Sequence, residues 1–148
     1  MSYAEQASFY RAALLLGLST PEAVIAWADG IVRDDAAPPS AIIDVALAPA
    51  ELTALRSALA PLALIPEPES VVHRLLVLTA RDLATGRRSV DDTVRVFTQM
   101  RRLLRLASEI ETELNQLENN HMLAAAGVTN DLDASRERVR DWLARFEG

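Results

Sequence analysis

Cysteine is absent from the 148 residues. That excludes disulfides, thiolate nucleophiles and cysteine-ligated zinc in one step. It also suits a reducing compartment, and a cytoplasmic location is the expectation. Lysine is missing too, so all 15 cations are arginine. GC-rich codon usage accounts for such a bias without function. The functional alternative is bidentate recognition of carboxylate or phosphate, which a guanidinium does better than an ammonium. Aromatics make up only 5 % of the chain, so Leu, Ala, Val and Ile must build the core. No apolar run approaches the ~20 residues of a membrane span. The start of the chain carries Glu5 and no basic stretch, unlike a secretory signal. Strand-like alternation of useful length is lacking, and glycine is scarce at five residues, which favours helices. The expectation is an all-α protein: one domain over 1–148, a compact array of six to eight helices.

Helix punctuation is legible along the chain. A first helix from about Ser2 to Leu16 stops at Gly17, suited to the left-handed position after a helix. Thr20-Pro21-Glu22 supplies a capping hydroxyl, a proline where no N–H is needed, and an acid at the positive end of the next helix. That helix runs to about Arg33, with Val24, Ile25, Trp27, Ala28, Ile31 and Val32 at helical spacing. After the loop 34–40, a short helix carries Ile42 and Val45, and another follows Pro49 with Leu52, Leu55, Leu59 and Leu62. A third break at 65–70 precedes a helix, apolar over a wide arc, that ends near Gly86. Ser89-Val90-Asp91-Asp92 has capping-box form. From Val90 to Ala126 neither proline nor glycine intervenes, so one long helix or two meeting near Leu106–Glu109 both fit. Gly127 terminates that stretch, and a last helix carries Val139, Trp142, Leu143 and Phe146.

Charge is segregated along this order. Residues 1–73 hold three arginines against nine carboxylates, 74–105 eight against three, and 106–148 four against nine. The segment charges are −6, +5 and −5, a basic band between acidic ends. Arg101, Arg102 and Arg105 share one side of a helix and head the candidate binding residues. Two readings compete for the Arg87–Arg105 band: internal pairing with the flanking acids, or a surface that meets phosphates or an acidic protein. An acidic pI of about 4.9 and the lack of interleaved aromatics weigh against nucleic acid. Internal pairing is the preferred expectation.

Candidate chemistry is sparse. Glu118 and His121 form the Glu-x-x-His step used in helical dimetal sites, but those sites need two such pairs and further carboxylates. A metal or small-molecule protein using Glu118 and His121 is therefore an alternative, not the leading reading. Glu109, Glu111, Glu113 and Glu118 read as a solvated face. Asp34-Asp35 and Asp91-Asp92 sit at helix edges, where acids have structural reasons to be. No nucleophile turn, phosphate loop or His-Glu-x-x-His motif is present, so no catalytic residues, metal ligands or cofactor are assigned. Trp27 and Trp142 read as core anchors; exposed, Trp27 becomes a binding hot spot.

Leu14-Leu15-Leu16-Gly17-Leu18, Pro21 to Asp29, Ile110 to Leu114 and Met122 to Val128 resemble stretches of small bacterial helical proteins. Some of these are thought to be immunity proteins of polymorphic toxin systems. The resemblance implies an interaction protein rather than an enzyme and carries over no catalytic residue. The leading expectation is a non-catalytic cytoplasmic module that binds another protein, with a basic toxin as the partner the resemblance implies. Self-association through the Val94–Leu117 seam stays open, and no membrane partner is expected.

Overall fold

A computed structural model describes residues 1–129 and 131–146. Among them the chain is all-α, with eight helices and no strand. Local signals set most of the ends. Ser2 caps α1 (Tyr3–Leu15), its hydroxyl accepting from the Glu5 N–H at 3.0 Å. Gly17 ends that helix at φ +70°, the left-handed region. Thr20 caps α2 (Pro21–Asp34), accepting from the Ala23 N–H at 3.2 Å. Then follow α3 (Ser40–Leu47), α4 (Leu52–Leu59) and α5 (Glu69–Ala84). Ser89 caps α6 (Val90–Leu103) by accepting from the Asp92 N–H at 3.1 Å. The last two are α7 (Ser108–Ala125) and α8 (Leu132–Ala144). Asn130, which precedes the last helix in the sequence, lies outside the described residues.

The chain forms two compact units, Met1–Val71 and Val72–Gly148, and α5 begins in the first and continues in the second. In the first, α2 packs on α3 and α4, and α4 packs on α1 and α3. Ala7, Leu14, Val24, Ala28, Ile42, Val45, Leu55 and Leu59 make its core. Ala7 and Ala28 bring helix backbones close, while Ile42 and the leucines supply the apolar volume whose burial drives folding. The buried Ser8 hydroxyl accepts from the Leu64 N–H at 2.6 Å and donates to the Ala4 carbonyl at 2.8 Å. It thereby holds the segment after α4 against α1.

In the second unit α6 packs on α7 and α8, and α7 packs on α8. Phe97 and Met100 of α6, Leu114 of α7, and Val139 and Leu143 of α8 are buried. Phe97 meets Trp142 edge-on, ring centroids 5.6 Å apart.

The 90–126 stretch is two helices, broken over Leu104–Ala107. Leu104 is extended there and buried, so the turn is held by a core residue rather than by glycine or proline. Ala107, within the span expected as the Val94–Leu117 seam, is exposed. The break brings residues together that a continuous helix would keep apart. Arg101 reaches Glu118, 17 positions further on; in a continuous helix the two would stand about 25 Å apart.

Candidate functional site

Arg101 makes a forked contact, Nε donating to Glu111 at 3.0 Å and Nη1 to Glu118 at 2.5 Å. Both hydrogen bonds hold the guanidinium charged and push its pKa above the usual arginine value, the Glu111 bond being the larger cause. The remaining arginines of the band divide. Arg95 pairs with Asp92 at 2.9 Å on the surface, and Arg88 lies 3.7 Å from Asp82. Arg102 and Arg105 are exposed and enter no ion pair among the described residues. The three arginines proposed as one patch thus do different things: Arg101 ties α6 to α7, and the other two face solvent.

Of the four acids read as a solvated face of α7, Glu109 is exposed as expected, and the other three are engaged. Glu111 and Glu118 hold Arg101, while Glu113 accepts from the Trp142 indole N–H at 2.7 Å and lies 3.2 Å from Arg145. Glutamates two to seven positions apart serve α6 on one side and α8 on the other, and a helix flanked by two neighbours makes this feasible.

His121 and Glu118 stand one turn apart on α7 but take different partners. His121 is 5 % exposed, with Nδ1 3.1 Å from Ser135 Oγ and Nε2 2.8 Å from Asp91 Oδ1. These are the atoms of a hydrolytic triad, with the access inverted. A triad needs its hydroxyl open to substrate and its acid buried behind the histidine. Here Ser135 is 2 % exposed, whereas the Asp91 side chain is 55 % exposed. The arrangement is an interhelical hydrogen-bond chain joining α6, α7 and α8. Ser135 escaped the sequence reading because it carries no local motif, and Asp91 was read only as an acid at a helix edge because its histidine partner lies 30 positions away.

Trp27 has another setting. It is half-buried on α2, its indole N–H donating to Gln6 Oε1 at 2.8 Å and its ring 4.9 Å from that of Tyr10. Neither Trp27 nor Trp142 is a fully buried core residue, because each indole N–H seeks a polar side chain near the surface. Beside Trp27 opens a groove of about 430 Å³, lined by Tyr3, Gly30, Ile31, Asp34 and Asp35.

Two features of that groove run against helix economy. Asp34 and Asp35 lie at the C-terminal end of α2, where the helix dipole is negative and acids are disfavoured. The structural reason expected for acids at a helix edge holds for Asp92 at the start of α6 and fails here. Asp35 is compensated by the Tyr3 hydroxyl, which donates to it at 2.6 Å, and by the Ala37 N–H at 3.0 Å. These bonds, the tyrosine's first, hold the Asp35 carboxyl below its ordinary pKa, and the same bond raises that of Tyr3. Asp34 has only neighbouring Arg33, at 3.3 Å with both side chains 76 % exposed, a pair of little worth.

The second feature is Gly30, inside α2. A helix-interior glycine costs roughly 1 kcal/mol against alanine. Packing does not demand it: an added Cβ would meet only the Arg33 side-chain end, at 3.7 Å. What the missing side chain does is leave the groove open.

The Tyr3–Asp35 bond gives a pH prediction. Depressed in the folded state, the Asp35 pKa contributes stability present above its unfolded value and lost as pH falls through the folded one. Raised in the folded state, that of Tyr3 contributes below its unfolded value of 10.0 and is lost as pH rises through the folded one. Asp35→Asn should bring the Tyr3 ionisation back toward 10.0, as read by ultraviolet absorbance titration.

No helix among the described residues is long and apolar enough to cross a membrane, and no group of three or more histidines and carboxylates is arranged to hold a metal. Comparisons with protein-family models, curated proteins and solved structures returned no match.

Proposed function

We propose that the chain is a non-catalytic module that binds a basic partner protein through its first unit, the groove beside Trp27 receiving an arginine or lysine side chain. The observation that carries this is where the net charge resides. Val72–Gly148 holds twelve arginines and twelve carboxylates, whereas Met1–Val71 holds three arginines and nine carboxylates. The whole net charge of −6 therefore belongs to the first unit. Such a field attracts a cationic partner and speeds encounter at low salt.

The groove suits a cation in detail. It offers the negative end of α2, two carboxylates and the faces of Trp27 and Tyr3, which attract a cation through their π-systems. Exchanging the Arg33–Asp34 pair for a partner's guanidinium costs little, because both groups are already solvated. The bacterial immunity-type role suggested by the resemblance fits this chemistry: neutralising a basic toxin in the cytoplasm requires affinity and no catalysis.

The test uses the Trp142→Phe protein, leaving Trp27 as its tryptophan reporter. An arginine-rich peptide should shift Trp27 emission at low salt, and the apparent Kd should rise at least about tenfold between 50 and 300 mM salt. An acidic peptide should give no shift. Silence toward the basic peptide at low salt, or an equal response to both peptides, would refute the proposal.

A further inference from the structure

The acidic first unit has a second groove of opposite character, between α1 and α4. It has a volume of about 300 Å³ and is lined by Arg11, Thr53, Arg56, Ser57 and Ala60. Thr53, Arg56, Ser57 and Ala60 recur at 3/4 spacing and so share one face of α4, turned toward Arg11 of α1. The two arginines are two of the three cations in Met1–Val71.

Neither is neutralised. The Nε atoms of Arg11 and Arg56 are buried and have no hydrogen-bond partner. Among the described residues neither guanidinium enters an ion pair. This occurs in a unit with nine carboxylates, six more than its arginines. Two like charges line one groove beside two hydroxyls, an arrangement that repels itself until an anion enters. Placement near the negative end of α4 accounts for Arg56 alone. It leaves Arg11, on the facing helix, unexplained.

We infer that the Arg11/Arg56 groove binds a phosphate group, carried by a small phosphomonoester. Two guanidiniums match the roughly −2 charge of a phosphate monoester and offer forked donors to its oxygens. A carboxylate brings one charge and would leave the second arginine uncompensated. The Thr53 and Ser57 hydroxyls donate to remaining oxygens. A nucleic acid is the poorer fit, because a polyanion following its strand away from this groove meets the carboxylates of the same unit.

Calorimetric titration at fixed ionic strength tests this with inorganic phosphate as the probe and acetate as the carboxylate control. Phosphate should bind saturably at one site per chain, at least about tenfold more tightly than acetate. Affinity should rise as pH climbs into the neutral range, where inorganic phosphate gains its second charge. Arg11→Gln and Arg56→Gln should each weaken binding at least about tenfold, and Arg56→Lys should restore only part of it. Thr53→Val and Ser57→Ala, on exposed positions of α4, should weaken it severalfold and carry the test if an arginine variant does not fold. Circular dichroism checks folding. Absence of saturable heat from phosphate in the wild-type protein overturns the inference, as does acetate binding equally well. Undiminished binding in the folded arginine variants does the same. Trp27 emission toward the basic peptide is read at the other groove, so either result stands without the other.

Discussion

Replacing Arg101 by methionine should destabilise the protein by about 2–3 kcal/mol, the largest stability effect among the arginines of the band. Glu118 is 9 % exposed, and Arg101 is its cation. Methionine keeps much of the apolar stem, so the loss isolates the charge rather than the packing. The carboxylate then stays buried without a counter-charge, and breaking a buried pair on one side costs more than the pair contributed. The full 3–5 kcal/mol of a buried pair is not expected, because the Arg101 side chain is 25 % exposed and its contact with Glu111 is wetter still. Arg102→Gln and Arg105→Gln should stay within about 0.5 kcal/mol, as surface changes do. A cycle with Glu118→Leu should return a coupling of about 1–3 kcal/mol, since the double variant leaves neither charge stranded. Urea unfolding followed by Trp142 emission in a Trp27→Phe background reports on the helices involved. If Arg101→Met and Arg102→Gln prove equivalent, the Arg101 fork contributes nothing to the stability of α6 and α7.

That fork also marks where sequence reasoning ran out. Helix starts at Ser2, Thr20 and Ser89 and stops at Gly17, Gly86 and Gly127 were legible, because capping and left-handed turns are decided by a few neighbouring residues. The break at Leu104–Ala107 was open between two readings, because the contacts that accompany it, the burial of Leu104 and the meeting of Arg101 with Glu118, are not local in sequence. Periodicity sees apolar steps of three and four in both helices and cannot register that the chain reverses. The same holds for Glu113. Its indole partner lies 29 positions away, and sequence spacing alone leaves it on a polar face. Charge order, by contrast, was legible and its boundaries were not. The basic band looked like the feature of interest, yet it belongs to a unit whose charges cancel, and the acidic start of the chain carries the net charge.

Filling the groove at Gly30 should abolish binding of the basic partner while leaving the fold intact or slightly more stable. Gly30→Ala should raise stability by about 0.5–1 kcal/mol, since alanine is the better helix former and its Cβ meets only a flexible arginine end. Gly30→Leu places a branched side chain in the space between Trp27 and the two aspartates and should weaken arginine-peptide binding about a hundredfold or more. Opposite signs on stability and affinity are the signature of a position kept small for a ligand rather than for packing. Trp27→Ala makes a less clean experiment. It removes the cation-facing ring but also the Gln6 hydrogen bond and the Tyr10 contact, so lost binding mixes with lost structure. Trp27→Phe separates them: the ring face stays, the indole N–H goes, and binding should fall only severalfold. Asp34→Asn supplies the electrostatic arm, weakening binding at low salt and converging on wild type at high salt as screening removes the difference. If Gly30→Leu binds the peptide as well as wild type does, the groove is not the recognition site, and the acidic field of the first unit attracts its partner elsewhere on that surface.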